Sequence, residues 1–492
     1  MTGGAGPELS GRVLGGPAAL LRTEVLEPQL RYELVHLLPH YLAVERALTA
    51  EACRLGVLSA GQAAAVDAVL RTVTADDLLA RAPDCLSDLA LTLEREVEAA
   101  LPEPVPAWHV DRSRNDYQAC AQLMFGRQRL VDLAGTVLVF CRAVHAFAAR
   151  HVDTPMPGYT HLQAAQLITP GFYFAALVDR LQHGLRRLLA THDAINACPL
   201  GAGAMAGQEL AWDRDGLARA LGFGRSQPSA LVSVADRGWT LEVTAELGVL
   251  AVQLSRFVTD MMAWGGSALG WLDLPDELAG ISAAMPQKKN FPVLERVRGR
   301  LAHVSACHLD AVLGQRNTPY ANSVEVSKEA GARLADAFAA MDGALRLCTA
   351  VVDAASLDRD RMALACGRDY FGGFALANRL TLLARVPWRT AQVVAGRYVV
   401  AATAAGLPPA RTDPALLAKA AAASGVELPD PAGLLAGVFD VAAALHSFRT
   451  AGSAHPAAVA ELLGDQERRT AELTAEWDRR RAAAGGGGDH RG

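Results

Sequence analysis

The sequence predicts an all-α protein whose centre is a bundle of five long helices. Two observations support this fold class: apolar residues recur at helical spacing over five long segments, and those segments lack strand signals. The chain of 492 residues is 51% hydrophobic, which is enough to bury a large core across roughly two to four domains. The five segments run over about 112–151, 168–196, 229–265, 290–314 and 322–352.

Helix-breaking residues divide the rest of the chain into smaller helical units. A Pro-rich stretch over 101–107 ends the alanine-rich first part, and Gly-Val-Leu-Ser at 56–59 predicts a helix end followed by a new N-cap. Beyond 357 the helical segments are shorter and are interrupted by Gly and Pro. The predicted units are an N-terminal helical domain over 1–111, a central helical-bundle domain over 112–356, a C-terminal helical domain over 357–480 and a disordered, Gly-rich tail over 481–492.

Composition and charge argue against several classes of protein. Net charge is −5 and the isoelectric point is near 6.2, so no basic excess indicates a nucleic-acid partner. No run of about 18 apolar residues lacks charges. The first residues also lack the basic and apolar regions of a signal peptide. We therefore expect a cytoplasmic protein that does not enter a membrane.

The cysteines and histidines do not predict a metal site. The eight cysteines are scattered singly without a CxxC pair, which is typical of reduced core thiols. His36 and His40 lie one helical turn apart and could chelate a metal ion. Because no acidic or cysteine partner stands at a useful spacing, ordinary core or surface histidines are the better interpretation.

One stretch, over 279–300, concentrates groups that bind negative charge. Lys288, Lys289 and Asn290 precede a predicted helix that has Pro292 in its first turn. Backbone N–H groups at a helix N-terminus, with these cations, would hold a carboxylate or a developing oxyanion. Ser282 lies upstream, where its hydroxyl could reach a bound substrate. On composition alone, a solvated lysine loop ahead of an ordinary helix is the competing interpretation.

Two further stretches are rich in polar side chains. His109–Asp116 opens a long apolar segment, and by itself it reads as a charged helix start with Asp111 or Ser113 as N-cap. Gly158–Gln163 follows two prolines and is expected to form a loop before the next helix. A lone Thr-His pair in such a loop is more often structural than catalytic.

The stretch around 279–300 resembles the signature loop of the aspartase/fumarase superfamily. MPQKKN over 285–290, preceded by Ser282, is similar to the pattern GSSxMPxKxNP, and its QKKN form resembles argininosuccinate lyase. Ile281-Ser282-Ala283 stands where the family has Gly-Ser-Ser, and Phe291 separates the Asn from the Pro.

Other stretches extend this resemblance over nearly the whole chain. RSRND at 112–116 is similar to the argininosuccinate lyase pattern HTxRSRNDQ, and GYTHLQ at 158–163 is similar to the family's second signature region. LGAGAMAG at 200–207 resembles LGSGALAG, and the stretch at 447–456 resembles the close of the C-terminal domain. The resemblance is weakest before Gly56, where Leu9–Val13 replaces the family's Trp-Gly-Gly-Arg-Phe stretch.

The resemblance implies β-elimination of an N-substituted aspartate, or an analogue, to fumarate and an amine or other nitrogen-containing product. The reaction needs a base for the carbon-bound proton, stabilisation of the dianionic carboxylate and an acid for the departing amine. Ser282 would be the base and Lys288 would stabilise the developing charge. His161, oriented by Glu295, would take part in proton transfer to the leaving group. No metal or organic cofactor is required.

The same resemblance implies which residues bind the small dicarboxylate substrate. Asn290 would hold one carboxylate together with Lys288, and Ser113, Asn115 and Thr160 would fix the other. The predicted substrate-binding residues are Arg112, Ser113, Arg114, Asn115, Thr160, Gln163, Arg237, Met285 and Asn290.

The resemblance also implies a homotetramer with a shared helical core. The long helices are apolar over more than one face, which leaves surface that a single chain could not cover. The site stretches lie at ends of long helices, so stretches at opposite ends of one bundle cannot meet. We expect each active site to be assembled from several subunits of an antiparallel tetramer.

The substrate itself is left open by the sequence. The fumarate half of the family site is retained, but Tyr41, Leu91 and Val324 stand where the family reads the polar arginine end. Leu91 closes the altered stretch 87–91, which begins with Ser87-Asp88, and Val324 lies in the altered stretch 320–327. One alternative is therefore a fumarate-releasing lyase with a leaving group other than arginine. A second alternative is a catalytically silent structural or binding member of the family.

Overall fold

The computed structural model describes residues 16–81 and 89–485, and most of them are helical. The predicted all-α fold class is confirmed. The altered N-terminal stretch at 9–13 and the Ser87-Asp88 pair lie outside the described residues.

Six helices precede the bundle within residues 16–81 and 89–113. A π-helical segment at Arg22–Leu26 leads into them, and Gly56, at φ +74°, follows the end of the third helix. Ser59 accepts a hydrogen bond from the backbone N–H of Gln62, and the Gln62 side chain accepts one from the Ser59 N–H, so a capping box starts the next helix as predicted. The six are α1 (Ala19–Leu21), α2 (Glu27–His36), α3 (Leu38–Arg54), α4 (Ala60–Leu70), α5 (Ala75–Arg81) and α6 (Leu89–Ala100).

Seven helices follow, and five of them are long. The third predicted segment is split, because the Asp236 side chain accepts a hydrogen bond from the Gly238 N–H at 2.7 Å and starts a new helix. The fifth predicted segment begins as a π-helical turn at Glu325–Glu329 and becomes regular only afterwards. The seven are α7 (Arg114–Ala149), α8 (Pro170–Ala194), α9 (Arg214–Ala220), α10 (Ala230–Ala235), α11 (Gly238–Gly265), α12 (Pro292–Gln315) and α13 (Leu334–Ala354).

The long helices alternate in direction. The side-chain amide of Asn115, at the start of α7, donates to the carbonyl of Ala204 beyond the end of α8, so these two helices are antiparallel. The amide of Gln315, which ends α12, donates to the carbonyl of Arg237, which precedes α11. The hydroxyl of Tyr173 in early α8 donates to Asp260 in late α11 at 2.5 Å. Helices α7 and α11 therefore run parallel to each other.

Short strands join the helices. β1 (Met156–Thr160) and β2 (Gln163–Ile168) form an antiparallel hairpin, so the loop expected over 158–163 is wrong. The prolines suggested an irregular backbone at this point. The main-chain groups of β1 and β2 instead hydrogen-bond to each other, which satisfies them in a hairpin. The other strands pair two residues at a time: β3 (Ala197–Cys198) with β4 (Arg225–Ser226), and β5 (Leu272–Asp273) with β6 (Ser356–Leu357).

Between residues 357 and 485 the chain contains seven helices and a second, smaller apolar core between Leu376 and Phe439. The last helix instead packs on the bundle, where Gln182 of α8 donates to the carbonyl of Gln466 at 2.6 Å. It continues to Gly485, so the predicted tail over 481–492 starts too early. The seven are α14 (Arg359–Cys366), α15 (Gly373–Leu382), α16 (Trp388–Ala404), α17 (Pro414–Ala422), α18 (Pro431–Leu435), α19 (Val441–Leu445) and α20 (Pro456–Gly485).

Helix α7 is the one described helix that is long and apolar enough, by length and composition, to cross a membrane. More than half of its most apolar window is buried inside the molecule. Leu130, Val137 and Val144 on this helix are fully buried in the main core, so α7 is a core helix of the bundle.

Candidate active site

The predicted site residues lie at two opposite ends of the bundle. The N-cap end is where α7 and α11 begin, and it holds Ser113, Asn115 and Arg237. The hairpin end is where α8 and α12 begin, and it holds the β1–β2 hairpin and the loop before α12. Helix α7 has 36 residues, so the two ends are separated by about 54 Å. Side chains of one chain therefore cannot meet across that distance.

At the N-cap end, Ser113 caps α7 and Asn115 is held from two sides. The Ser113 hydroxyl accepts a hydrogen bond from the Asn115 N–H, which fixes the first turn. The Asn115 amide nitrogen donates to the Ala204 carbonyl at 2.9 Å, and its oxygen accepts from the Asn322 amide at 2.8 Å. The Asn115 side chain is thus fixed in orientation before any substrate binds.

Asp116 ties the start of α7 to the glycine-rich turn at 200–207. Its carboxylate accepts hydrogen bonds from the N–H groups of Gly201 and Gly203, both at 3.0 Å. Both glycines have positive φ, which the turn requires and other residues rarely adopt. Burial raises the pKa of Asp116 to about 6, against the lowering effect of these N–H donors. The carboxylate is structural, because it holds the turn next to Asn115.

Arg112, a predicted substrate-binding residue, is committed to a buried ion pair. Its guanidinium donates to both oxygens of Glu45, at 2.9 and 2.5 Å, and the two side chains are 5% and 1% exposed. Burial raises the pKa of Glu45, but the charges of Arg112 and His109 and the hydrogen bonds from Arg112 and Tyr117 together leave the pKa below its usual value. Arg114, the next predicted arginine, is an exposed residue in the first turn of α7.

Arg237 is buried at the same end of the bundle. It donates to the carbonyls of Val234 and Asp236, and its Nε donates to the Gln122 side chain at 3.1 Å. Its Nη2 has no hydrogen-bond partner within the described parts of the chain. Burial lowers the pKa of Arg237 to about 10, so it remains a cation at neutral pH. One guanidinium N–H direction is therefore open to an acceptor.

At the hairpin end, the tip of the β1–β2 hairpin exposes Thr160, His161 and Gln163. The two central turn residues, His161 and Leu162, have φ of 54° and 60°. Two-residue hairpin turns of this kind usually use Asn and Gly, because other residues are strained at positive φ. Leu162 is 90% exposed, so packing within the described chain does not offset that strain.

The loop before α12 is closed at its base and exposed at its tip. Gly280 and Asn290 exchange two backbone hydrogen bonds, at 2.8 and 2.9 Å. The hydroxyl of Ser282 accepts a hydrogen bond from the Met285 N–H at 3.1 Å, so it lies on the inner side of the loop. The Asn290 amide donates to the carbonyl of Ile281 at 3.4 Å. The loop thus brings Ser282, Met285 and Asn290 together.

The two lysines of the loop have different surroundings. Lys289 forms ion pairs with Asp273 at 3.0 Å and Asp276 at 3.3 Å, and these contacts raise its pKa. Lys288 is exposed, and no ion pair to it occurs in residues 16–81 and 89–485. Because no side chain caps α12, the start of that helix adds a partial positive charge. Lys288 is therefore the cation that remains available to an anionic ligand.

The predicted orientation of His161 by Glu295 is not formed within one chain. Glu295 is exposed in the first turn of α12, and in the described structure no hydrogen bond or ion pair joins it to His161. The hairpin and the loop nevertheless flank the end of α11: the Tyr159 ring is tilted against that of Trp271, with centroids 6.0 Å apart, and Gly265 packs on Phe291. The role of Glu295 stays a prediction.

Sequence reasoning missed two residues at the N-cap end. Asn322 holds the Asn115 side chain, and Gln122 joins Arg237 to the carbonyl of Ser327 at 2.6 Å. Asn322 lies in the stretch that departs from the family pattern. A new polar residue in that stretch was the sequence signal that could have identified Asn322 as a site residue. Gln122 lies seven residues after Asn115, which places both on one face of α7.

The architecture is a mainly helical bundle whose polar stretches lie at the ends of its long helices. A sequence model of the family described as lyase matches residues 38–305, more than half of the chain, and the chain belongs to that family. Its fold is that of the aspartase/fumarase superfamily.

Solved structures share this fold at low sequence identity. EDDS lyase in complex with formate matches with a TM-score of 0.85 at 24% identity, covering 96% of this chain and 94% of that chain. Fumarate lyase from Mesorhizobium sp. BNC1 matches with a TM-score of 0.72 at 18% identity, covering 89% and 98%. The 3-carboxy-cis,cis-muconate lactonizing enzyme from Pseudomonas putida matches with a TM-score of 0.69 at 20% identity, covering 92% and 100%.

Proposed function

We propose that the protein is a carbon–nitrogen lyase that converts an N-substituted aspartate to fumarate and an amine. The loop before α12 carries this proposal, because one short segment holds the Ser282 hydroxyl, the exposed Lys288, for which no ion pair occurs in the described residues, and the uncapped start of α12. Membership of the lyase family supports it. A variant of EDDS lyase, one of the similar structures, is described with fumarate bound.

The chemistry follows from what the loop offers. Ser282 removes the proton from the carbon next to the carboxylate, and the developing negative charge is held by Lys288 and Asn290. Each such donor contributes about 3 to 4 kcal/mol in the transition state. The C–N bond then breaks, the double bond of fumarate forms, and the departing nitrogen takes a proton, with His161 taking part in that transfer.

The second carboxylate requires the N-cap end of another chain. Ser113 and Asn115 lie about 54 Å from the loop of their own chain, so they cannot act together with its Ser282. We propose an antiparallel homotetramer in which these ends meet, with Thr160 and His161 supplied by a further hairpin. Exposed apolar side chains on α11 and α12, including Val252 and Leu309 at 55% and 59%, supply surface for this assembly.

The test is direct. Purified protein is incubated with argininosuccinate and a set of other N-substituted aspartates, and fumarate is measured by its ultraviolet absorbance, with and without a chelator. We expect fumarate from at least one substituted aspartate, argininosuccinate to be a poor substrate, and no effect of the chelator. Absence of fumarate with every substrate would favour a silent family member, and chelator inhibition reversed by a divalent ion would contradict the metal-free mechanism.

A further inference from the structure

A cavity of about 300 Å³ lies at the N-cap end, between α2, α7, the start of α11 and the segment 326–334. This volume is at the lower end of the range for small-ligand sites. Most of its wall is apolar. The apolar wall includes Val25, Tyr32, Phe125, Trp239, Val326 and Leu334.

The charged groups deep in this wall leave no carboxylate to receive a cation. Glu33 is 2% exposed, forms an ion pair with Lys328 and accepts a hydrogen bond from the Leu89 N–H at 2.9 Å. Arg237, also in the wall, is a buried cation that contacts carbonyls and an amide. The inner wall therefore has one net positive charge. Glu24 and Glu329 line the cavity only at its exposed edge, where water screens them.

The cavity and Asn115 lie along the same face of α7, and Gln122 and Ser327 are the cavity residues on the side toward Asn115. Asn115, Gln122 and Phe125 follow one another along this face at helical spacing, and Gln122 lies roughly 10 Å from Asn115. The segment 322–329 runs beside them, since Asn322 contacts Asn115 and the Ser327 carbonyl accepts from Gln122. A substrate whose carboxylate lies at Asn115 would need an arm of about 10 Å to reach the cavity wall at Gln122.

We propose that this cavity binds the leaving-amine arm of the substrate and selects an apolar, preferably aromatic, arm over a guanidinium. This inference rests on the proposed lyase function. An apolar arm gains from burial against Tyr32, Phe125 and Trp239. A guanidinium placed among these rings would be desolvated beside the cation of Arg237, away from the carboxylates of Glu24 and Glu329 at the exposed edge. The altered residue Tyr41 is not in the cavity wall: it is 1% exposed and packs against Tyr117 of α7.

The reverse reaction tests the proposal without a synthetic substrate. Fumarate is incubated with phenylbutylamine, guanidinobutylamine or methylamine, and the N-substituted aspartate is measured by mass spectrometry. The N–H of the amine adds across the double bond, with nitrogen on one carbon and hydrogen on the other, so no further reactant is needed. We expect kcat/KM for phenylbutylamine to exceed that for guanidinobutylamine by about tenfold or more. Equal rates, or a preference for the guanidino amine, would overturn the proposal.

Variants of exposed residues in the cavity wall test whether the preference between amines arises from this cavity. Ala332→Trp narrows the cavity and should lower the ratio of kcat/KM for phenylbutylamine to that for methylamine. Val25→Asp adds a carboxylate to the wall and should shift the preference toward the guanidino amine. Val400→Asp, an exposed control on α16, should leave every ratio unchanged.

The outcomes separate this inference from the proposed function. If methylamine adds to fumarate but Ala332→Trp and Val25→Asp leave the amine preference unchanged, the lyase function stands and the cavity assignment is wrong. If neither addition to fumarate nor release of fumarate occurs with any compound, the proposed function fails and this inference fails with it.

Discussion

The side-chain amide of Asn322 donates a hydrogen bond to the side-chain oxygen of Asn115, 2.8 Å away. Because the Asn115 nitrogen also donates to the Ala204 carbonyl, both ends of that side chain are occupied. A residue predicted to bind a carboxylate is therefore held by a segment 207 residues further along the chain. This contact joins the proposed substrate site to the segment that lines the cavity.

Asn322→Ala should misplace Asn115 and lower kcat/KM for fumarate release by about 10- to 100-fold, since displacements of an ångström have effects of this size. The melting temperature should change little. Ser323→Ala is the matched control, because the neighbouring Ser323 hydroxyl is buried without a partner in the described structure. Near-normal kcat/KM for Asn322→Ala would show that Asn115 does not need this support.

Ser282→Ala and Lys288→Met should each remove most of the turnover while leaving the fold intact. Both side chains lie in the loop outside the core, and loss of one charge-stabilising donor costs roughly 100- to 1,000-fold in kcat. Lys289→Met is the control, because the Lys289 charge is already paired with Asp273 and Asp276. Circular dichroism and kcat are measured together. If Ser282→Ala kept near-normal turnover, the base would be another residue.

Mixing two inactive variants tests the shared site. Ser282→Ala and His161→Ala protein are unfolded, mixed and refolded, and fumarate release is measured with the mass by light scattering. If the two groups of one site come from different subunits, random assortment leaves roughly one site in four intact. A monomer by scattering, or verified mixed tetramers as inactive as their parents, would rule out sharing between these residues.

Removing Arg112 should be costly because it leaves Glu45 charged and buried. We expect Arg112→Met to lower the free energy of unfolding by about 3 to 5 kcal/mol, and Arg112→Met with Glu45→Leu to recover much of that loss. The control is the pair of exposed Arg346 and half-buried Asp342, 2.8 Å apart, where Arg346→Met should cost about 1 kcal/mol or less. Denaturant unfolding measures the free energy of unfolding of all three variants. Equal losses of free energy for Arg112→Met and Arg346→Met would contradict the predicted effect of burial.

Asp116 should make stability depend on pH in a defined direction. Its pKa is about 6 in the folded protein and 3.8 ordinarily, so between about pH 4 and 6 the folded state binds more protons than the unfolded state. The contribution of Asp116 to stability therefore falls as pH rises through this window, by about 3 kcal/mol. The stability of wild type minus that of Asp116→Asn should decline over the same range. A difference that is constant with pH would refute the raised pKa.

The residues themselves determined the helical bundle and the location of its polar stretches. Apolar side chains such as Val293, Val297, Leu301 and Val304 recur at helical spacing, and all of them are buried on one side of α12. Local signals such as the Ser59 capping box also fixed helix starts, because a cap depends on residues three positions apart. These features are local, so periodicity and residue type were sufficient to predict them.

The tertiary structure alone decided which polar groups remain available to a substrate. Arg112 is paired by Glu45 and Lys289 by Asp273, whereas Lys288 is left exposed; the sequence motif presents all three cations alike. Three other features likewise depend on how segments meet in space: the turn at His161, the hydrogen bond from Asn322 to Asn115 and the cavity beside Phe125. Such contacts join residues that are far apart in the chain. Helical periodicity predicts which face of a helix is apolar, but it does not predict which residue of another segment lies opposite that face.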